Sequence, residues 1–160
     1  MARGTGGPER RSAGRVAPAG AATTAAGELT IRRAAVEVML AAARRALPNE
    51  CCGLLIGDAA RIERAVPARN LRPRPDRYLI DPADHCAALR AARAAGMEVV
   101  GAYHSHPDGT RLPSEVDCRE ASYPEFVYVI VAPEAGGHGR VAAFRLQRDA
   151  FEEIRLRVVS

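Results

Sequence analysis

Residues 104–117 read HSHPDGTRLPSEVD, and this stretch carries most of the chemistry in the chain. His104 and His106 stand two positions apart, and the largely apolar residues 96–103 before them predict a strand that follows a glycine turn. In an extended strand, side chains two positions apart point to the same face, about 6–7 Å apart at Cα. The two imidazoles can therefore converge on one ion, whereas Ser105 points to the other face.

The second half of this stretch supplies a hydroxyl and a carboxylate. Ser114 is a typical N-cap for a short helix from Glu115 to about Tyr123. At the start of a helix, Ser114 and Asp117 are three positions apart and share a face. Two imidazoles and one carboxylate would give zinc three protein ligands and leave its fourth position to water, as in catalytic zinc sites. Two commoner structural explanations stay open: Ser114 and Asp117 can form a helix cap, and the histidines can lie on a solvated loop.

A further candidate lies far upstream, in the sequence ECCGLLIG at residues 50–57. Its continuous apolar run predicts a buried strand from Cys51 to Ile56. Glu50 enters this strand, and a buried carboxylate is costly unless it is paired or used in chemistry. Glu50 is therefore a candidate functional residue in addition to the histidines and Asp117.

With these residues in place, the sequence resembles the JAMM, or MPN+, metallopeptidases. The pattern of that family is an upstream Glu, then His-Ser/Thr-His, seven residues, Ser, two residues and Asp. The chain matches this pattern without departure, at Glu50, His104, His106, Ser114 and Asp117. The flanking sequences PNECCGLL and YHSHP look like the compact bacterial branch of the family, and the resemblance runs from about residue 29 to residue 159.

The resemblance implies a cofactor and a reaction. One zinc ion per chain is expected on His104, His106 and Asp117. Glu50, with a pKa raised by its apolar flanks, is expected to act as general base and then general acid in the hydrolysis of an amide. Ser114 is expected to donate a hydrogen bond to the oxyanion that forms on the attacked carbonyl.

The resemblance also implies a substrate class. Family members cleave after the C-terminal Gly-Gly of a ubiquitin-like protein, and in the small bacterial members the expected partner is a ubiquitin-like sulfur-carrier protein carrying a cysteine or another adduct. The absence of long loop insertions disfavours recognition of polyubiquitin. An alternative is a non-catalytic MPN-type scaffold or partner-binding module, which the complete five-residue set disfavours. A zinc nucleoside deaminase would need His-x-Glu and Pro-Cys-x-x-Cys, and both motifs are absent.

The net charge of +4 offers little information about partners, because of where it lies. Residues 1–27 hold four arginines and one glutamate, so residues 28–160 are nearly neutral. A nearly neutral domain does not favour a nucleic-acid partner. The chain also has no stretch that predicts a membrane span, and its sequence leaves the oligomeric state open.

Composition predicts a disordered N-terminal tail at residues 1–27 and one metallopeptidase domain at residues 28–160. The tail has almost no large apolar residues, so it cannot bury enough surface to offset its conformational entropy. It also lacks the apolar region of a secretory signal. The four cysteines are therefore expected to be reduced thiols in a cytoplasmic protein: Cys51, Cys52, Cys86 and Cys118. For Cys52 and Cys118, which flank site residues, a role as a small buried hydrophobe is favoured over metal binding.

The remaining pattern predicts an α+β fold, with a mixed β-sheet flanked by helices. The Pro- and Arg-rich residues 67–77 are predicted to form a surface loop, and neither His85 nor His138 is expected to bind the metal. Apolar periodicity and turn residues predict the other elements: strands at 29–31, 61–66, 78–80, 125–132, 141–146 and 151–159, and helices at 32–47 and 82–95.

Overall fold

The computed structural model describes residues 28–134 and 139–160. The predicted disordered tail at residues 1–27 and His138 lie outside these ranges. The described chain forms these elements: β1 (Leu29–Arg32), α1 (Arg33–Ala46), β2 (Cys52–Gly57), β3 (Arg61–Ala68), α2 (Pro82–Ala94), β4 (Glu98–Ser105), α3 (Glu115–Glu120), β5 (Val127–Ala132), β6 (Arg140–Gln147), β7 (Ala150–Ile154) and β8 (Leu156–Val159). Among the helices in those ranges, none is both long and apolar enough to cross a membrane.

The strands form one mixed sheet, in the order β7-β6-β5-β4-β2-β3-β1-β8. Strand β4 runs parallel to β5, and β1 runs parallel to both β3 and β8. The other pairs of neighbouring strands are antiparallel: β2 with β3, β2 with β4, β5 with β6 and β6 with β7. The predicted fold class, α+β with a mixed sheet flanked by helices, is confirmed.

Each face of the sheet is covered by a helix, and alternate residues of the central strands supply the two cores. Leu55 and Tyr103 pack in the main core with helix α1. Their chain neighbours Leu54 and Ala102 pack in a second core with helix α2. This alternation is the two-residue period of a strand. The central strands are buried on both faces, which explains why their sequences are continuous apolar runs instead of alternating ones.

Helix α2 has the ends that its sequence predicts. The Asp81 carboxylate accepts a hydrogen bond from the backbone N–H of Ala83 at 2.8 Å, and Pro82 occupies the first helical position. Gly96 follows the helix with φ at +68°, a left-handed conformation that glycine adopts without strain. The turn after Gly96 leads directly into strand β4.

The prediction of a strand at residues 78–80 is wrong. Only Ile80 pairs there, in a single bridge with Asn70. The backbone N–H of Leu79 is instead bound by a side chain, because it donates to Asn70 Oδ1 at 2.9 Å. A strand cannot extend through a segment whose donor is engaged in this way.

The prediction of one continuous strand at residues 151–159 is also wrong. Arg155 divides it into β7 and β8, which pair with β6 and β1 at opposite edges of the sheet. Since only one residue separates them, the two edges of the sheet meet at Arg155. Val158 in β8 is 38% exposed, because β8 lies at an edge of the sheet.

The packing of helix α1 gives a test of the main core. Met39 is fully buried in this core, whereas the neighbouring Val38 is 37% exposed. We expect Met39→Ala to lower the free energy of unfolding by about 2–5 kcal/mol, the usual cost of truncating a large buried side chain. Val38→Ala, the matched control, should change it by about 0.5 kcal/mol or less. Urea denaturation measures both, and equal losses would contradict this packing of the helix.

Candidate metal centre

The candidate site lies at the end of strand β4, in the middle of the sheet. His104 and Ser105 are the last residues of the strand, and His106 follows directly. The hydroxyl of the fully buried Ser105 accepts a hydrogen bond from the backbone N–H of Cys51 at 2.8 Å. The backbone N–H of Ser105 donates to the carbonyl of Cys51 at 3.1 Å. Ser105 therefore faces away from the histidines, as predicted, and ties them to the segment that contains Glu50.

The structure brings the three predicted metal ligands together. The Nε2 atoms of His104 and His106 are 3.1 Å apart. The Asp117 carboxylate places Oδ1 3.2 Å from His104 Nε2 and Oδ2 3.1 Å from His106 Nε2. Zinc–ligand distances of about 2.0 Å in a tetrahedron require ligand atoms about 3.3 Å apart. The spacing of these nitrogen and oxygen atoms fits zinc.

The hydrogen bonds of His106 indicate which of its two ring nitrogens carries the proton. Its Nδ1 atom is 3.2 Å from the carbonyl oxygen of Thr110 and 3.1 Å from Thr110 Oγ1. The carbonyl can only accept, and Thr110 Oγ1 already donates to Asp108 at 2.8 Å. Nδ1 must therefore carry a proton, so neutral His106 turns the lone pair of Nε2 toward the Asp117 carboxylate. Two acceptors at this distance repel each other, and either a proton or a metal ion between them would relieve the repulsion.

The ionisation of the three side chains also favours a positive charge between these atoms. Burial lowers the pKa of His104, which favours the neutral imidazole that metals bind. Burial also acts to lower the pKa of His106, but the hydrogen bond and charge of Asp117 outweigh it and raise the value. For Asp117, burial is outweighed by the hydrogen bonds with His104 and His106, which hold the carboxyl pKa well below its usual range. The site therefore retains negative charge on Asp117 and attracts a cation.

Ser114 and Asp117 also form the helix cap that was the structural alternative. The Ser114 hydroxyl accepts from the backbone N–H of Asp117 at 3.1 Å, and the backbone N–H of Ser114 donates to Asp117 Oδ2 at 2.7 Å. The capping box at the start of α3 is thus complete. The same carboxylate faces the histidines, so the cap and the candidate metal site are one structure.

Glu50 lies beside the two histidines. One ligand atom each from Glu50, His104 and His106 can be chosen so that all lie within 4.8 Å of one another. Glu50 is 4% exposed, and its Oε2 atom has no hydrogen-bond partner among the described residues. Burial raises the pKa of Glu50 to about 8. A carboxyl with a pKa near neutrality, held next to a metal site, can both accept and return a proton.

Sequence reasoning missed two residues at this site. Tyr78 stacks on His104, with ring centroids 4.5 Å apart and an interplanar angle of 20°. Asn70 donates from Nδ2 to the backbone carbonyl of Glu50 at 3.0 Å. Asn70 is a typical loop residue between prolines, which could have marked it as a turn former. No feature of the sequence links Tyr78 to His104, because the contact depends on how the loop folds back.

The remaining candidate ligands lie elsewhere. The Cys52 sulfur faces the carbonyl oxygens of Ala68 and Arg69 at 3.8 and 3.9 Å, and burial raises its pKa to about 12, which disfavours the thiolate that binds metals. His85 packs against aromatic rings on the α2 side, with Tyr123 at a centroid distance of 5.9 Å. All four cysteines are free and Cys118 is partly exposed. The cytoplasmic location stays a prediction.

Comparison with known proteins agrees with this geometry. A family model described as prokaryotic homologs of the JAB domain matches residues 32–147. The desampylase of Haloferax volcanii is 38% identical over 114 residues, which cover 69% of this chain and 79% of that protein. The CysO-cysteine peptidase of Mycobacterium tuberculosis is 33% identical over 133 residues, which cover 82% of this chain and 91% of that protein.

The fold is shared with solved structures as well. The solution structure of protein DSY2949 from Desulfitobacterium hafniense superimposes with a TM-score of 0.74 at 33% identity, and the match covers 82% of this chain and 92% of that one. The family model spans all three helices and strands β2 to β6, together with the last residue of β1. Strands β7 and β8 lie outside the match. The chain therefore belongs to the compact prokaryotic branch of the JAMM/MPN family and is a JAMM-type hydrolase.

Proposed function

We propose that the chain is a zinc-dependent peptidase that hydrolyses the amide bond after the C-terminal Gly-Gly of a ubiquitin-like sulfur-carrier protein. The observation that carries the proposal is the convergence of His104, His106 and Asp117 on one point, with the unpartnered Oε2 atom of Glu50 beside it. A scaffold without chemistry would have no use for a buried, unpaired carboxyl at this position.

His104, His106 and Asp117 would hold the zinc ion. Zinc with three protein ligands supplies a water of pKa about 7 and a Lewis acid for the amide carbonyl. Thr110 contributes by fixing the proton of His106 on Nδ1, and the capping box contributes by fixing the orientation of the Asp117 carboxylate. These contacts keep the three ligand atoms aimed at one point.

Glu50 would act as the general base and then as the general acid. Its carboxylate can take a proton from the attacking water and return it to the nitrogen of the leaving amine. The absence of a hydrogen-bond partner for Oε2 within the described chain leaves that oxygen available for this transfer. Two successive proton transfers at one carboxyl require no covalent enzyme intermediate.

Ser114 would stabilise the developing oxyanion. Its oxygen accepts from the backbone N–H of Asp117, so the hydroxyl proton remains available as a donor. A donor placed where negative charge develops stabilises the transition state more than the ground state. Helix α3 thus contributes a metal ligand from Asp117 and an oxyanion donor from its N-cap.

The names of the relatives support a protein conjugate as the substrate. One relative is named a desampylase, another a CysO-cysteine peptidase, and a third, from Thermus thermophilus, a probable TtuB-protein conjugate cleaving protease. We extend this substrate class to the present chain. The chain contains no lysine, so it cannot itself be conjugated through a lysine side chain. The assay that follows is release of one added residue from the Gly-Gly end of such a carrier, measured by mass spectrometry.

The metal assignment predicts one zinc ion per chain. We expect the double variant His104→Ala, His106→Ala to lose it, because only one of the three ligands would remain. His85→Ala is the matched control, since His85 packs among aromatic rings on the α2 side and should leave the zinc content unchanged. Metal analysis of the purified proteins decides the matter. Full zinc content in the double variant would refute the site.

Glu50→Gln should abolish most hydrolysis while retaining the fold and the zinc. The amide has the shape of the carboxyl but cannot accept the proton, and loss of a general acid–base group usually costs roughly 10²–10⁴-fold in rate. Folding should tolerate the change, because burial already favours a neutral side chain at this position. The carrier assay, zinc content and thermal unfolding are measured together. Wild-type turnover would place the base elsewhere, and an inactive wild-type protein would reject the substrate class.

Ser114→Ala should slow hydrolysis by roughly 10²–10³-fold through loss of the oxyanion donor. It should also destabilise the protein by about 1 kcal/mol, because the N-cap bond to Asp117 is lost. Ser114→Gly also removes the hydroxyl donor but costs only roughly a few tenths of a kcal/mol at an N-cap, so it separates the two effects. Ser122→Ala, which removes an exposed serine hydroxyl bonded to the carbonyl of Glu120, is the matched control. Equal rates for Ser114→Ala and Ser122→Ala would exclude the oxyanion role.

A further inference from the structure

Glu50 is held by a loop and not by the sheet. Strand β2 begins only at Cys52, two residues later. The backbone N–H of Glu50 donates to the carbonyl of Arg74 at 2.9 Å, and its carbonyl accepts from Asn70 Nδ2 at 3.0 Å. Both backbone polar groups of Glu50 are therefore bound by residues 69–80, which we name the site loop.

Asn70 is the residue that shapes the site loop. Its Oδ1 atom accepts from the backbone N–H groups of Arg72 and Leu79, each at 2.9 Å. Since Oδ1 faces two donors, the orientation of the amide is fixed, and Nδ2 must point to the carbonyl of Glu50. This side chain thus adds to the backbone hydrogen bonds that close the loop, and it joins the loop to the carbonyl of Glu50.

The position of the Glu50 carboxyl depends on this attachment. Its Oε2 atom has no hydrogen-bond partner in the part of the chain that the structure describes, so no polar contact there orients that oxygen. The position of this oxygen therefore depends on the backbone of Glu50 and on the side chains packed around it. A shift of about 1 Å in a reacting group can cost a factor of 10² in rate.

The site loop also contacts the other half of the site. Tyr78 stacks on His104, and its neighbour Leu79 is bound to Asn70 Oδ1. Asn70 therefore stands between the segment that holds Glu50 and the residue that packs on a metal-ligand candidate. Asn70 thus supports the position of Glu50 relative to His104 from the loop side, whereas the hydrogen bonds between Cys51 and Ser105 support it from the sheet side.

We propose that Asn70 is a positioning residue, which holds Glu50 at its working distance from the metal ligands. The inference rests on the proposed function, because it takes Glu50 as the general base. It extends that function to a residue outside the five-residue motif, in a loop that the sequence marks only as a Pro- and Arg-rich connection.

Asn70→Asp tests the proposal with the smallest change. The aspartate retains an oxygen for Arg72 and Leu79 but loses the donor to Glu50 and places a carboxylate oxygen against its carbonyl. We expect kcat to fall about 10–100-fold with KM within about threefold of wild type, since the substrate still binds but the proton acceptor is displaced. Zinc content should stay at one per chain.

A second measurement needs no substrate. Hydrogen exchange of the Glu50 backbone amide, followed by NMR in the zinc-loaded full chain, should be faster in Asn70→Asp, because its bond to Arg74 depends on the folded loop. Asp58→Ala is the matched control. Asp58 Oδ1 accepts from the backbone N–H groups of Ala60 and Arg61 in the turn between β2 and β3, and removing it should change neither kcat nor Glu50 exchange.

The outcomes separate the two proposals. If Glu50→Gln is inactive while Asn70→Asp matches Asp58→Ala in kcat and in Glu50 exchange, the positioning role is overturned and the general-base role stands. If Glu50→Gln is fully active, the base assignment fails on its own. Should Asn70→Asp unfold, Asn70→Ser retains a short acceptor for the turn but cannot reach Glu50, and the same two measurements apply. Normal kcat and exchange in Asn70→Ser would equally overturn the positioning role.

Discussion

The structure of the site depends on one electrostatic constraint, the close approach of the His106 Nε2 lone pair to the Asp117 carboxylate. The two atoms are 3.1 Å apart, and the proton of His106 is fixed on Nδ1 by Thr110. An unscreened pair of acceptors at this distance is repulsive in a buried site, where the effective dielectric constant is low. The arrangement persists only with a positive charge between them, whether a proton or a metal ion.

The fold meets this constraint by placing both histidines at the end of a central strand. Strand β4 lies between β2 and β5, and His104 is paired with Cys52 on one side and with Ile130 on the other. His106 donates its backbone N–H to Val131 at 2.9 Å, so it too is fixed to the sheet. Glu50, the proposed proton-transfer group, has a different support, because its backbone is bound by the site loop. The two histidines and Glu50 are thus held by different parts of the fold.

Much of this could be predicted from the sequence, because it depends on short-range spacing. The two-residue period of a strand places His104 and His106 together, and the cap geometry places Ser114 beside Asp117. The contacts of Asn70 and Tyr78 could not be predicted, because they join residues 20 and 26 positions apart through a loop without periodicity. The break at Arg155 was missed for a related reason: an alternating pattern shows that residues form strands but not which edge of a sheet they join.

The ionisation of Glu50 shows that this site is maintained at some expense of stability. Its pKa of about 8 in the folded chain lies above the ordinary value of 4.5, so the folded state binds its proton more tightly than the unfolded state does. The sign of the linkage follows: the group stabilises the fold fully below about pH 4.5, and this contribution is lost as the pH rises toward 8. At neutral pH, a glutamine or an apolar side chain would therefore be the more stable choice. A carboxyl that is retained where it weakens the fold is best explained by the proton it can exchange, since no ion pair or hydrogen bond of Oε2 in the described chain supplies a structural reason.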